Sequence, residues 1–220
     1  MKNIIIFGDS YSTFEGYIPN DYPTYYSPKG REDGPAVTKL DVASTWWKKL
    51  IDLYGVNLLL NNSWSGSTIG YTGYNNADCS KSSSFIYRYN KLKSENFFEK
   101  HIVDTVFVFG GTNDSWAGAP LGEMKFSGWE EKDLFSVLPA ICYFAHTLKN
   151  DLPNAEIFFI INTDIKEEIQ NALEKAAEYY GAKSIRLNNI DKENGHPTAK
   201  GMGEIFKQVA DTIKQPNISR

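Results

Sequence analysis

Five short apolar runs, separated by stretches with helical spacing, limit the folds open to this chain more than any other feature. Residues 4–7, 56–60, 105–109 and 156–161 are rich in Val, Leu, Ile and Phe, and residues 184–187 form a weaker fifth run. Runs with so little polar alternation suit strands covered on both faces. Helical patterns fall near residues 44–54, 130–149, 165–180 and 198–213, the last opened by Thr198 as an N-cap. Strands alternating with helices imply parallel βαβ units. The expected fold is therefore α/β: a three-layer α/β/α sandwich around a parallel sheet of about five strands.

Two long stretches break this rhythm. Residues 11–40 are polar and aromatic and carry Pro19, Pro23, Pro28 and Pro35. Residues 63–84 are rich in Gly, Ser, Asn and Tyr. Each follows the carboxyl end of a predicted strand, as does the segment 113–128. Ligands of open parallel sheets bind outside those ends, so three elaborated loops there imply one shared site. Neither an internal repeat nor a linker composition interrupts the 220 residues, and one domain, 1–220, is expected.

Charge and cysteine usage narrow the chemistry. The net charge is −4, from 23 basic and 27 acidic residues, with no basic cluster, which disfavours a nucleic-acid partner. Cys79 and Cys142 are too few for a disulfide framework or a four-thiolate zinc site, and two free thiols are expected. No run approaches the roughly 18 apolar residues of a membrane span, so no membrane partner is expected. The chain as given begins without a leader and reads as cytoplasmic; a chain whose leader had been trimmed would read the same and would be secreted or periplasmic. The sequence is silent on oligomeric state.

The first run ends in Gly8-Asp9-Ser10. Gly8 permits a sharp turn, which presents the Ser10 hydroxyl at the sheet edge and turns its own N–H toward a reacting oxygen. An aspartyl-phosphatase reading of Asp9 fails because Tyr11 stands where a second acid is required. A flavodoxin-type phosphate loop built on Ser10, Ser12 and Thr13 is opposed by Glu15. After the second run, Gly66 lets the backbone approach a substrate and offer an N–H. After the third, Gly110-Gly111-Thr112-Asn113-Asp114 places a neutral amide donor on a tight turn. Of the three histidines, His196 alone lies in a loop beside acids; His101 and His146 read as structural or solvated. Acyl transfer needs a nucleophile, a base and donors for a developing oxyanion, and Ser10, His196 and the Gly66/Asn113 pair supply each role once. Asp9 and Asp114 are expected to hold their turns by accepting backbone N–H bonds. Neither a cofactor nor a metal is called for.

These blocks resemble the SGNH (GDSL) hydrolase family across nearly the whole chain. Gly8-Asp9-Ser10 is similar to the family's first block, Gly66 to its oxyanion glycine, Gly111-Thr112-Asn113-Asp114 to its Gly-x-Asn-Asp block, and the run 11–16 (Tyr-Ser-Thr-Phe-Glu-Gly) to a bacterial acyl-hydrolase branch. The resemblance implies a flavodoxin-like fold and serine ester hydrolysis, with Ser10, Gly66 and Asn113 as the oxyanion hole and an acid orienting His196. The family's Asp three residues before the histidine is Glu193 here, and Asp191 is its rival. Asp191 is favoured because residues 192–194 read as an exposed turn; a Ser-His dyad oriented by a backbone carbonyl is the third arrangement.

Aromatic residues make up 14% of the chain and crowd the site loops. Tyr11, Trp64 and Trp116 are the expected substrate contacts, because aromatic faces stack on the C–H faces of sugars. The expected substrate is a small-molecule ester with a short acyl group, acetyl first, on a saccharide or similar polar alcohol. The alternatives are a lysophospholipase, thioesterase or aryl esterase on the same site, or a non-catalytic carbohydrate-binding domain.

Overall fold

The computed structural model describes residues 1–32 and 34–214. Residues 33 and 215–220, part of the expected domain 1–220, lie outside the described residues. In chain order the elements are β1 (Asn3–Gly8), α1 (Trp46–Tyr54), β2 (Asn57–Ser63), α2 (Phe85–Ser94), α3 (Phe97–Lys100), β3 (Thr105–Phe109), α4 (Thr112–Trp116), α5 (Val137–Asp151), β4 (Glu156–Ile161), α6 (Glu167–Tyr179), β5 (Lys183–Arg186), the short pair β6 (Lys192–Glu193) and β7 (His196–Pro197), and α7 (Ala199–Lys214).

The five longer strands form one sheet in the order β2-β1-β3-β4-β5, parallel throughout. Alternate side chains of each strand enter two separate cores, which is why the runs read as continuously apolar. Ile5, Phe7, Val106, Val108, Ile157 and Phe159 pack beneath α2, α5 and α6. Ile4, Ile6, Phe107, Phe109, Phe158 and Ile160 pack beneath α1 and α7, together with Tyr11, Phe14, Tyr25 and Tyr26 from the first long loop. Each such side chain contributes about 1.5–3 kcal/mol by leaving water. The three layers of the expected α/β/α sandwich are thus present.

Several boundaries differ from the sequence reading, for physical reasons. β2 runs on through Asn61, Asn62 and Ser63, which are buried yet polar. Their side chains are satisfied internally: Asn61 Nδ2 donates to the Ser12 carbonyl at 2.8 Å, and Ser63 Oγ donates to Asn61 Oδ1 at 2.5 Å. The helical stretch 130–149 divides into a tight turn, Glu131–Phe135, and α5, because Ser136 between them is extended (φ −110°, ψ 142°). The helices α2, α3 and α4 and the β6–β7 hairpin were not anticipated. α2 buries Phe85, Ile86, Tyr89 and Leu92, but Arg88, Asn90 and Lys91 between them mask the pattern.

β1 lies between β2 and β3: the chain passes from β1 to β2 on one side and then crosses over to β3 on the other. Gly8 stands opposite Ser63 on one side and Phe109 on the other. This is the switch point of a doubly wound sheet, where a crevice opens at the carboxyl ends of the strands. Ser10, Gly66 and Asn113 follow those three strand ends by two, three and four residues.

Candidate active site

The turn carrying Ser10 is held from all sides. A Cβ on Gly8 would lie 2.5 Å from Ser63 Oγ and 2.7 Å from Ser12 Cβ, so only glycine admits this close approach of β1, β2 and the turn. Asp9 caps the turn by accepting from the Tyr11 N–H at 3.0 Å, and Thr13 Oγ1 donates back to the Ser10 carbonyl at 3.0 Å. Trp46 Nε1 donates to Ser12 Oγ at 3.1 Å. Ser10 itself is nearly buried, 2% exposed.

His196 reaches Ser10 across 186 residues: Nε2 lies 3.0 Å from Ser10 Oγ. Its Nδ1 lies 3.1 Å from the Asn194 carbonyl oxygen. A carbonyl has no proton to give, so Nδ1 carries the ring hydrogen, and Nε2 presents its lone pair to the serine hydroxyl. Burial pushes the imidazole pKa below its ordinary 6.5; the Asn194 contact pulls the other way, and the Lys192 charge adds to the lowering. The ring is therefore neutral near pH 7, as a general base must be.

The carboxylate expected to orient His196 is not in place, which corrects the preference for Asp191 and its rival Glu193. Asp191 accepts from the Thr198 hydroxyl, and its backbone carbonyl accepts from the Thr198 N–H at 3.1 Å. Thr198 Oγ1 in turn accepts from Gly201 N at 3.2 Å, so Asp191 braces the cap of α7. Glu193 pairs with His196 in the β6–β7 ladder, but its side chain is exposed and, among the described residues, makes no hydrogen bond to the ring. The cause is the hairpin turn. Asn194 (φ 48°) and Gly195 (φ 75°) both take left-handed conformations, the geometry of a two-residue Asn-Gly turn, and a turn this tight folds the Asn194 carbonyl under the imidazole. The Asn-Gly dipeptide was the available signal.

The hairpin comes after β5, three strands away from β1, and side chains tie it back. Tyr11 OH donates to the Gly195 carbonyl, and Tyr26 OH donates to the Pro197 carbonyl at 2.8 Å. Lys192 Nζ bonds Asn162 Oδ1 and Thr163 Oγ1 just beyond β4, at 3.1 and 2.6 Å. Tyr11, expected to meet substrate, is instead fully buried: its ring packs edge-on against Phe109 and tilted against His196, and its hydroxyl is used by the hairpin.

The segments bearing the expected donors are tied to the Ser10 turn and to one another. Trp64 N donates to the Gly8 carbonyl at 3.1 Å, and Asn113 Nδ2 donates to the Ser67 carbonyl at 3.0 Å, so the segment bearing Gly66 is clasped between the nucleophile turn and α4. Gly66 is exposed with φ +85° and open space where a Cβ would stand. Asn113 Oδ1 accepts from Tyr74 OH at 2.8 Å, which fixes the flip of the amide. One Asn113 N–H remains, and neither it nor the Ser10 or Gly66 backbone N–H has an acceptor among the described residues. Unpartnered N–H donors are the kind of group a developing oxyanion requires.

Two buried charges support this frame. Arg88, fully buried, donates to the carbonyls of Gly8, Asn62 and Ser83, to Asn62 Oδ1 and to Ser67 Oγ. It therefore bonds both the nucleophile turn and the Gly66 segment. Desolvation lowers its pKa to about 9. Asp114 accepts from the backbone N–H groups of Ile69 and Gly70, the holding role expected for it; burial raises its pKa to about 6 and that of Asp9 to about 7. Arg88 escaped the sequence reading because it lies near no recognisable block.

Of the aromatic rim, Trp116 is 41% exposed and sets its edge toward His196, at 5.5 Å between ring centroids. Trp64 is half-buried against Tyr22. His101 and His146 lie away from Ser10, on the Phe97 carbonyl and against Trp129 and Tyr180. Cys79 and Cys142 are buried free thiols. Among the described residues no helix is long and apolar enough to cross a membrane, and no group of three or more His, Cys, Asp or Glu is arranged to hold a metal.

A doubly wound sheet with a serine-histidine pair and unpartnered N–H donors at its switch point defines the serine hydrolase class. Within that class, the chain belongs to the GDSL-like lipase/acylhydrolase family, whose model matches residues 2–213, and is a serine esterase-type hydrolase. It is similar over its length to two solved structures described as GDSL-like lipases. The one from Bacteroides ovatus has 40% identity and a TM-score of 0.88, covering 98% of this chain and 99% of that one. The one from Bacteroides uniformis has 40% identity and a TM-score of 0.86, covering 97% and 95%. An acetyl xylan esterase from the rumen bacterium Butyrivibrio proteoclasticus shares the fold at 16% identity and a TM-score of 0.61, covering 97% of this chain and 63% of that one.

Proposed function

We propose that this chain hydrolyses short acyl esters, acetyl esters first, of a carbohydrate or similar polar alcohol, using Ser10 as nucleophile and His196 as general base. The observation that carries the reading is the 3.0 Å contact between Ser10 Oγ and His196 Nε2, with the ring tautomer fixed by the Asn194 carbonyl. As Ser10 Oγ bonds to the ester carbon, its proton passes to Nε2 and the carbonyl π electrons move onto oxygen. The Ser10 and Gly66 N–H groups and the free Asn113 N–H stabilise that oxyanion. Collapse expels the alcohol, which takes the proton from Nε2. Water, deprotonated by the same nitrogen, then releases the acid and restores Ser10.

The choice of substrate rests on the rim. Trp116 and Tyr74 are each 41% exposed and flank the Ser10–His196 pair through their contacts to His196 and Asn113. Exposed aromatic faces beside a polar site suit the C–H faces of a sugar more than an acyl chain. Fold neighbours that are carbohydrate esterases, an acetyl xylan esterase and a family two carbohydrate esterase of Clostridium thermocellum, agree with that direction. The test is acetate release from a panel of acetylated saccharides, set beside p-nitrophenyl esters of increasing acyl length and a lysophospholipid. Fastest turnover of acetylated sugars supports the reading. Preference for octanoyl or longer esters, or for the lysophospholipid, overturns it.

A further inference from the structure

A base that acts without a carboxylate leaves one charge unaccounted for. When His196 takes the serine proton it becomes an imidazolium inside a nearly buried site, and its Nδ1 partner is a neutral carbonyl. In a Ser-His-Asp triad an anion offsets that charge. Here the groups facing the ring are Ser10, the phenols Tyr11 and Tyr25, Trp116, and the cation Lys192, with Glu193 exposed at the opposite ladder position and Arg31 acting on Tyr25. Lys192 opposes protonation, and its ammonium is already bonded to Asn162, Thr163 and Asp164.

Tyr25 stands apart from the rest. Its ring lies flat on His196, with centroids 3.6 Å apart and planes within 10°. The placement is built. Tyr25 N donates at 2.9 Å to Thr13 Oγ1, the same hydroxyl that donates to the Ser10 carbonyl, so one side chain ties the stacked ring to the nucleophile turn. The neighbouring Tyr26 holds Pro197, next to His196, through its hydroxyl, and its own ring packs edge-on against Tyr25 at 4.9 Å. Tyr25 is 8% exposed, so the stack sits out of water, where attraction between a cation and a π face is strongest.

We propose that Tyr25 is a positioning residue that does for His196 what the carboxylate does in a triad: its ring face stabilises the imidazolium and holds the ring plane on the line to Ser10. The role extends the esterase reading above and rests on it. The face of an aromatic ring carries the negative end of its quadrupole, so a stacked cation gains where a stacked neutral imidazole gains little. The phenol hydroxyl is not required, whereas the electron-rich face is.

The test compares Tyr25→Phe, Tyr25→Leu and pentafluorophenylalanine installed at position 25, a ring of nearly the same shape with its quadrupole inverted. The His196 Cε1–H resonance is titrated in each protein, and kcat and KM are measured with p-nitrophenyl acetate. Tyr25→Phe is expected to leave the titration midpoint within about 0.3 pH unit and kcat within about twofold of the parent. The leucine and pentafluoro proteins are expected to titrate about one pH unit lower and to lose about tenfold in kcat, with KM unchanged. Equal midpoints for the phenylalanine and pentafluorophenylalanine proteins overturn the proposal, as does a loss in Tyr25→Phe as large as in Tyr25→Leu. If the leucine protein does not fold, the isosteric pair still decides. Because the titration is read without turnover, an inactive parent enzyme would sink the esterase reading while leaving the Tyr25 comparison intact.

Discussion

Replacing Asp191 by Asn and Glu193 by Gln separates a triad from a carbonyl-oriented dyad. Where a carboxylate holds the imidazole of a serine hydrolase, converting it to an amide lowers kcat by about 10⁴ because the ring is left in the wrong tautomer. Here the Nδ1 hydrogen is directed to the Asn194 carbonyl at 3.1 Å, a backbone group that neither substitution removes. Glu193 is exposed, so Glu193→Gln changes stability by no more than about 0.5 kcal/mol and kcat by less than about threefold. Asp191→Asn keeps an acceptor for the Thr198 hydroxyl while weakening a hydrogen bond at the α7 cap, at a cost of about 0.5–1.5 kcal/mol in stability, with kcat again within about threefold. The assays are steady-state hydrolysis of p-nitrophenyl acetate at pH 7.5 and urea unfolding of each variant. A hundredfold loss of kcat in either variant, with the unfolding midpoint unchanged, would mean that its carboxylate reaches His196 during turnover, and the carbonyl-oriented dyad would be refuted.

Asn113→Ala is expected to lower kcat by about 10²–10³ while the fold persists, since it deletes one oxyanion donor; an unchanged kcat removes Asn113 from that role. The pH dependence of kcat/KM is expected to show an acid limb with its midpoint below 6.5. Burial lowers the His196 pKa, so the neutral base persists as the pH falls past the value for a free histidine; a midpoint above 6.5 contradicts this. Burial raises the Asp9 pKa from 3.8 to about 7, so the folded state holds a proton that the unfolded chain releases. Its stabilising effect is complete below about pH 4 and is lost as the pH climbs through 7. Relative to Asp9→Asn, the parent should therefore lose stability between pH 4.5 and 7.5, by no more than about 1.4 kcal/mol per pH unit. Parallel urea-unfolding curves across that window would contradict it.

The sheet was legible because its strands are buried on both faces. Two of the five runs, 105–109 and 156–161, coincide with β3 and β4, since every position there except Glu156 is buried. β2 was cut short because Asn61, Asn62 and Ser63 look like a loop until their partners, Ser12 and Arg88, are brought alongside by the fold. The positions of Ser10, Gly66 and Asn113 were readable because each follows a strand end by a few residues, and strand order then sets them side by side. The partner of His196 was not readable from side-chain types, because the group in contact is a main-chain carbonyl whose direction depends on the turn. Tyr11 misled for a related reason: aromatic residues in a loop carry no sign of which face of the turn they occupy, and the hairpin that claims its hydroxyl lies 184 residues away.

The most direct measurement is covalent. A p-nitrophenyl alkylphosphonate incubated with the protein, followed by peptide mass spectrometry, should place one phosphonyl group on Ser10, at a rate that collapses in His196→Ala and with no adduct in Ser10→Ala. Unmodified Ser10 in an enzyme that still hydrolyses acetyl esters, or an adduct on another residue whose loss abolishes turnover, would contradict the assignment.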